Sequence, residues 1–465
     1  MPPSPIFMSI SELSEQIRNR QFSSVELTEL FLGRLETIGP IYNAVITITR
    51  TRALKQARKA DREIASGRFR GPLHGIPYGA KDLFATSGGT PTTWGAEPFR
   101  NQTFDYDATV IKKLEKAGAV LAAKLAMIEL AGGMGYRQPN ACFTGPPRNP
   151  WNPNTWAGGS SSGSAIAVCA GLLPFTIGSE TWGSILRPAN NCGITGLRPT
   201  YGRVSRFGAM ALSWTLDKIG PFALTAEDCG LILEAIAGPD KKDPTTFPKA
   251  YKFMRITPRP LKLAIPAGVT EGLDHAICKN FKNSLSILNK VATVDEVEFP
   301  KFPFEAITRT ILYAESASIF DEFIDEGGLS KLTAPEDRYT AYARTAILAK
   351  DYLRAMRLRN LMIKAMEETL TPYDAVVAPT CRTVATPITQ PFRDLGGRTF
   401  GDIVGAIGNT AGLPSISVPN GFTPNGLPTG IQFMGKPYDE NAILTIAYEY
   451  QSLTDWHKHH PPALA

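Results

Sequence analysis

Three short stretches carry residue types able to do hydrolytic chemistry. The first is Ala157 to Gly171, AGGSSSGSAIAVCAG, with serines at 160, 161, 162 and 164. Four roles suit such a string: a flexible linker, a phosphate loop, the nucleophile turn of a serine hydrolase, or part of a hydrolase that works without histidine. A linker should separate domains and lead into polar chain, whereas this one runs into the apolar, helix-forming AIAVCAGLL. A phosphate loop usually ends in GK[ST] at a helix start, and no lysine stands there. Gly159 to Gly163 matches G-x-S-x-G with Ser161 at its centre. That turn requires a strand before it and an Asp and a His after it. The preceding NPWNPNTWA, with two prolines and three asparagines, reads as a loop. The histidines (His74, His275, His457, His459 and His460) have no company that suits a triad.

Without histidine, another side chain must activate the serine. A lysine serves if burial lowers its pKa so that neutral amine persists near pH 7. Lys81 is the one fixed cation of Gly71 to Leu83, GPLHGIPYGAKDL, among apolar and small residues. The plain alternative is an ordinary lysine paired with its neighbour Asp82. The third stretch, Gly178 to Pro188, is GSETWGSILRP, with Ser184 directly after Gly183. Successive backbone N–H groups there could point at one oxygen, as an oxyanion hole requires. The plain alternative is a strand-to-helix turn.

In this order the three stretches resemble the amidase signature family of amide hydrolases. The family pattern G-[IV]-P-x-x-x-K-D is met by Gly75 to Asp82, GGSS[GS]GS by Gly158 to Ser164, and G-[ST]-[DE]-T-x-G-S by Gly178 to Ser184. Ser160 and Ser184 stand 24 residues apart, as in the family. Cys192 to Ser205, Asn409 to Pro419 and Gly426 to Gln432 are also family-like, so the likeness covers the chain from about Ser9. The resemblance implies a Ser-cisSer-Lys triad: Ser184 as nucleophile, Ser160 on a cis peptide bond as proton shuttle, and neutral Lys81 as the ultimate base. It also implies an oxyanion hole from the N–H groups of Thr181, Trp182, Gly183 and Ser184, and an acyl-enzyme on Ser184. No cofactor and no metal are implied.

The chain departs from the pattern at two places. Trp182 stands where the family usually has a small residue; it either narrows the acyl pocket, offers a stacking wall, or packs inward. Leu186 holds a place often occupied by arginine, and Arg187 follows; it either clamps a substrate carboxylate or joins a structural ion pair.

The elements that must position these residues are legible from periodicity. Ser9-x-x-Glu12 and Ser23-x-x-Glu26 open amphipathic helices as capping boxes. Arg50 to Arg70 reads as a basic helix, either a solvated face or an RNA-contacting one. Beyond Gly71, strand-like segments alternate with helices: a helix at Ala108–Ala117, a strand at Ala119–Ala123, a helix at Ala165–Gly171. After the Pro-rich crossing Gly238–Pro260, we expect strands at Leu261–Ile265, Asp374–Ala378, Ser415–Pro419 and Gly430–Met434. Helices are expected near Asp274–Lys290 and Arg338–Leu370, with a last one from Glu440. This alternation predicts a single α/β domain over 1–465, with a central twisted mixed sheet flanked by helices on both faces. The signature core spans about 71–236, and the half at about 261–455 completes the same sheet.

Composition bounds the partners. With 49 basic and 43 acidic residues, the formal charge of +6 gives no reason to expect nucleic acid. The longest apolar stretch, Ala165–Phe175, is about half of the roughly 20 residues a membrane span requires. The opening MPPSPIFMSISELSEQ has no cationic and apolar leader pattern, and the six cysteines are scattered, which predicts a reduced cytoplasmic setting. The tail WHKHHPP reads as frayed polar chain. The expected activity is hydrolysis of a small linear amide by a stand-alone enzyme acting on non-peptide carbon–nitrogen bonds, with a homodimer left open. The alternatives are the glutaminase-type subunit of a tRNA-dependent amidotransferase, or a carbamate or ester hydrolase; Trp182 and the displaced arginine argue against the subunit. A binding module without catalysis is opposed by the intact triad positions. The loop Gly132–Gln138 and the helices after Phe304 are expected to line the pocket.

Overall fold

The computed structural model describes residues 4–134, 139–255, 260–391 and 402–464. Helices α1 (Ile10–Arg18) and α2 (Ser24–Thr37) open the chain, and both capping boxes form. The Ser9 and Ser23 hydroxyls accept from Glu12 and Glu26 N–H, and those carboxylates accept from the serine N–H groups in return. Strand β1 (Val45–Ile48) and helix α3 (Arg50–Ala65) follow. On α3, Ala53, Ala57 and Ala60 are buried while Lys55, Arg58, Lys59 and Arg62 face solvent. Arg52 turns back to Asp107 at 2.8 Å and Glu115 at 3.1 Å, so part of the basic face is spent within the fold.

Strands and helices then alternate through β2 (Pro77–Lys81), α4 (Thr109–Ala117), β3 (Val120–Leu125), β4 (Arg148–Asn149) and β5 (Asn152–Trp156). Next come α5 (Ser162–Cys169), β6 (Phe175–Glu180), α6 (Leu186–Cys192), β7 (Thr195–Arg198), β8 (Lys218–Ala223) and α7 (Ala226–Ile236). The second half runs β9 (Leu261–Pro266), α8 (His275–Leu288), β10 (Ala292–Val297), α9 (Phe304–Ile319), α10 (Asp321–Asp325), α11 (Asp337–Thr345) and α12 (Ala349–Leu370). It closes with β11 (Ala375–Pro379), α13 (Ile403–Thr410), β12 (Ser415–Phe422), β13 (Pro428–Met434) and α14 (Glu440–Ser452).

All these strands except β4 and β5 join one mixed sheet, in the order β1-β3-β2-β6-β8-β7-β12-β13-β11-β9-β10. The two halves of the chain meet at β7 and β12, antiparallel, with Ser415 opposite Arg198 and Ser417 opposite Gly196. Every residue of β2, β3, β8, β11 and β13 is buried. Successive side chains alternate faces, so helices and loops must cover the sheet on both sides. This is one α/β domain with a large mixed sheet. Among the described residues, no helix is long and apolar enough to cross a membrane.

Four expectations need correction. Asn152–Trp156, read as a loop, is strand β5. It pairs with β4 and, on its other side, bridges to Pro387, with Trp156 N–H donating to the Thr386 carbonyl at 2.8 Å and Ile388 N–H to the Asn154 carbonyl at 2.9 Å. Pro153 stands opposite no residue in either pairing. The single helix expected over Arg338–Leu370 is two: Leu348 takes an extended backbone and redirects the chain between α11 and α12, which both pack on α9. The tail is not frayed, because its rings have apolar partners. His460 stacks on Phe7 at 3.7 Å between centroids, and Trp456 and His459 lean on Phe422. Finally, Asp82 does not pair with Lys81: it forms a fully buried ion pair with Lys124 at 2.9 Å.

Candidate active site

Lys81 ends β2, an inner strand of the sheet between β3 and β6, and is fully buried. Its amine donates to Ser160 Oγ at 2.8 Å and to Ser179 Oγ at 3.0 Å. Burial drives the amine down from the ordinary lysine value, and the Asp217 and Glu180 carboxylates hold it partly up, leaving it at about 7. Near neutral pH, neutral and charged forms therefore coexist.

Ser160 follows Gly159 through a cis peptide bond, just before helix α5. The stretch fits only because its glycines lack side chains. Gly158 sits at φ +87°, and a Cβ there would lie 2.8 Å from Pro188 Cα. A Cβ on Gly178 of β6 would meet Ser161 Oγ at 2.8 Å. That close approach lets Ser161 tie the stretch to β6: its hydroxyl donates to the Ser179 carbonyl at 3.0 Å, and its N–H donates to the Ser184 carbonyl at 3.3 Å. Lys81, Ser160, Ser179 and Ser184 are thus gathered from three separated stretches.

The turn Thr181–Ser184 joins β6 to α6, and Ser184 is 8% exposed. Glu180 braces it from beneath. One carboxylate oxygen accepts from Ile185 N–H at 2.8 Å and Leu186 N–H at 3.0 Å, and the other meets Arg198 at 2.8 Å. Glu180 is fully buried, and the cations Arg198 and Lys218 outweigh that burial and hold its carboxyl down at about 2. Gly183 takes φ +82°, a left-handed conformation that side chains rarely adopt. Neighbouring side chains of the turn take different partners. Thr181 donates to Asp217 at 2.5 Å, while the Trp182 indole N–H donates to Asp402 at 2.8 Å.

Asp402 caps α13 through Gly405 N–H at 3.0 Å. Burial raises its carboxyl, and Arg187 and the Trp182 indole pull it back down. Arg187 therefore sits in the same cluster, and its charge is also felt by the half-buried Cys381 thiol. Ser179, Asp217 and Asp402 escaped the sequence reading. Ser179 lay inside a stretch already singled out, but Asp217 and Asp402 reach the turn only through long-range packing. Although β5 leads toward the Gly-Ser stretch, the histidines stand elsewhere: His74 lies 3.2 Å from Glu63, His275 begins α8, and the others form the tail. In the loop expected to line the pocket, 135–138 lie outside the described residues.

The arrangement couples a buried, partly neutral amine to a serine hydroxyl beside a glycine-containing turn that carries a second serine. The family model described as Amidase matches residues 26–444. The glutamyl-tRNA(Gln) amidotransferase A-subunit of Marinomonas sp. (strain MWYL1) is 37% identical over 97% of this chain and 98% of that protein. The native peptide amidase of Stenotrophomonas maltophilia superposes with a TM-score of 0.85 at 29% identity, covering 96% of both chains. The glutamyl-tRNA(Gln) amidotransferase A-subunit of Thermotoga maritima gives a TM-score of 0.78 at 29% identity, covering 95% of this chain and 94% of that one.

Proposed function

Because the chain belongs to the amidase family, whose enzymes act on carbon–nitrogen bonds, we propose that it cleaves a carboxylic amide through an acyl-enzyme on Ser184. The Ser184 hydroxyl attacks the carbonyl carbon and passes its proton to Ser160, which passes its own to neutral Lys81. The N–H groups of Thr181, Trp182, Gly183 and Ser184 stabilise the oxyanion that forms. As the carbon–nitrogen bond breaks, Ser160 gives the departing nitrogen a proton and Lys81 replaces it. Water then clears the acyl group by the same relay in reverse roles. The observation that carries this reading is the 2.8 Å contact between a fully buried lysine amine and Ser160. Substitution Ser184→Ala should abolish amide turnover while leaving the circular-dichroism spectrum intact. A substantial residual rate would remove Ser184 as nucleophile.

The named relatives support a second reading, and in sequence they favour it over a stand-alone amidase. In it the chain is the amide-donor component of an amidotransferase acting on glutamyl-tRNA(Gln), sharing 37% identity with such a component over nearly its whole length. Trp182 and Arg187, at positions where that component normally differs, support the stand-alone reading. Assays of the purified chain with simple amides and with glutamine separate the two: activity on simple amides without partners supports the amidase, inertness the amidotransferase component.

A further inference from the structure

A cavity of about 240 Å³ adjoins the serine cluster. Its walls include Ser179, whose hydroxyl touches the Lys81 amine, and Thr181, the first residue of the turn. Facing them are Phe207, Met210, Leu212 and Trp214. Most polar groups around it are committed within the protein, while the exposed Lys242 amine stands at its wall over the Phe207 ring at 4.6 Å. Arg206 donates to the Tyr201 hydroxyl at 3.0 Å, the Thr245 hydroxyl at 2.9 Å and the Trp214 carbonyl. Asp217 accepts from Thr181 and from the N–H groups of Leu212 and Ser213. The Lys218 amine is buried and donates to the Leu216 carbonyl. What an entering group meets is mainly aromatic and apolar surface.

The geometry of the relay decides which half of a substrate belongs there. In the acyl-transfer reading, on which this inference rests, the departing nitrogen takes its proton from Ser160 and hence lies on the side of Lys81 and Ser179. Ser179, 3.0 Å from the Lys81 amine, is a wall of the cavity, which ties the cavity to that side. Thr181 and its partner Asp217 line the cavity, whereas Trp182 and its partner Asp402 do not. We propose that the cavity seats the leaving amine, and that the preferred substrates are secondary amides of an aromatic or arylalkyl amine rather than primary amides. An apolar cavity of about 150 Å³ already holds benzene, so this one accommodates a ring with one or two further carbons. Ammonia would fill little of it and leave apolar walls against water.

The test uses the purified full-length chain and three amides of one short acyl group: the primary amide, the anilide and the benzylamide. Ammonia and amine release are measured as kcat/KM. The anilide or benzylamide should exceed the primary amide by roughly tenfold or more, the scale on which apolar pockets discriminate. That ratio should fall roughly tenfold in Met210→Trp, which fills the cavity, and in Trp214→Ala, at a half-exposed position whose truncation spares the core. Preference for the primary amide, inertness toward all three, or ratios unmoved by both variants would overturn the proposal. Ser184→Ala, run in parallel, keeps the two readings apart. Turnover surviving that change defeats the nucleophile assignment, whereas a primary-amide preference abolished by it defeats only the amine site.

Discussion

At the scale of single residues, the decisive balance is at Lys81. Full burial disfavours the ammonium form, and two carboxylates recover only part of the loss, so the amine settles at about 7 instead of its usual value above 10. The proposed base must be neutral to accept a proton, and neutral amine grows as pH rises through 7. Consequently kcat/KM should climb with pH below about 7 and level off above it, with that acid limb assigned to Lys81. Lys81→Ala should cost roughly 10²–10⁴-fold, the usual worth of general base catalysis. A profile flat from pH 5 to 8, or a near-normal rate in the variant, would take lysine out of the mechanism. Lys81 was legible in the sequence because a lone cation in a small and apolar segment is conspicuous. Its partner Ser179 was not, since a hydroxyl gives no local sign of what it will face.

At the scale of elements, the site depends on how β6 hands the chain to α6. Glu180 ends the strand, caps the helix with one oxygen and pairs with Arg198 of β7 with the other, all without solvent. Removing one partner of a buried pair leaves the other charge uncompensated, at a cost of about 3–5 kcal/mol. Glu180→Gln should therefore lower unfolding stability by about that amount in urea at pH 7; a change under about 1 kcal/mol would mean the pair is dispensable. The sign with pH follows from its depressed carboxyl. Its contribution is complete above the unfolded carboxylate range and is lost as pH falls toward about 2. Strong periodicity made most elements readable, such as β9, β11, α8 and α14, whose centres fall where apolar spacing put them. It failed where packing overrides local chemistry. Proline and asparagine in Asn152–Trp156 look like loop formers, yet Pro153 stands opposite no residue in either of the strand's pairings and so breaks no ladder bond. Between α11 and α12 no glycine or proline announces the break at Ala346–Leu348.

At the scale of the molecule, one sheet is shared by two chain halves, and the site lies between what each half contributes. The amidase stretches of the first half bring Lys81, Ser160 and Ser184; the second half brings α13 and Asp402 against Trp182. That the halves complete one sheet was readable from the strands in both, but which side chains would meet across the join was not, because such contacts leave no periodic trace. Trp182 is half-buried, packs on the cluster that includes Phe304, Val404 and Leu413, and is oriented by the Asp402 carboxylate. If the amine leaves on the Lys81 side, Trp182 borders the acyl side, and its ring limits the acyl length. Trp182→Ala should then raise the kcat/KM of a hexanoyl amide over the matching acetyl amide by roughly tenfold or more, since each methylene admitted to an apolar pocket is worth about 1–3 kcal/mol. Asp402→Asn keeps the side-chain shape while weakening the charge-assisted bond to the indole, and should move the ratio in the same direction by less. A folded Trp182→Ala protein with an unchanged acyl ratio would show that the indole only packs against the second half of the chain and never meets the substrate.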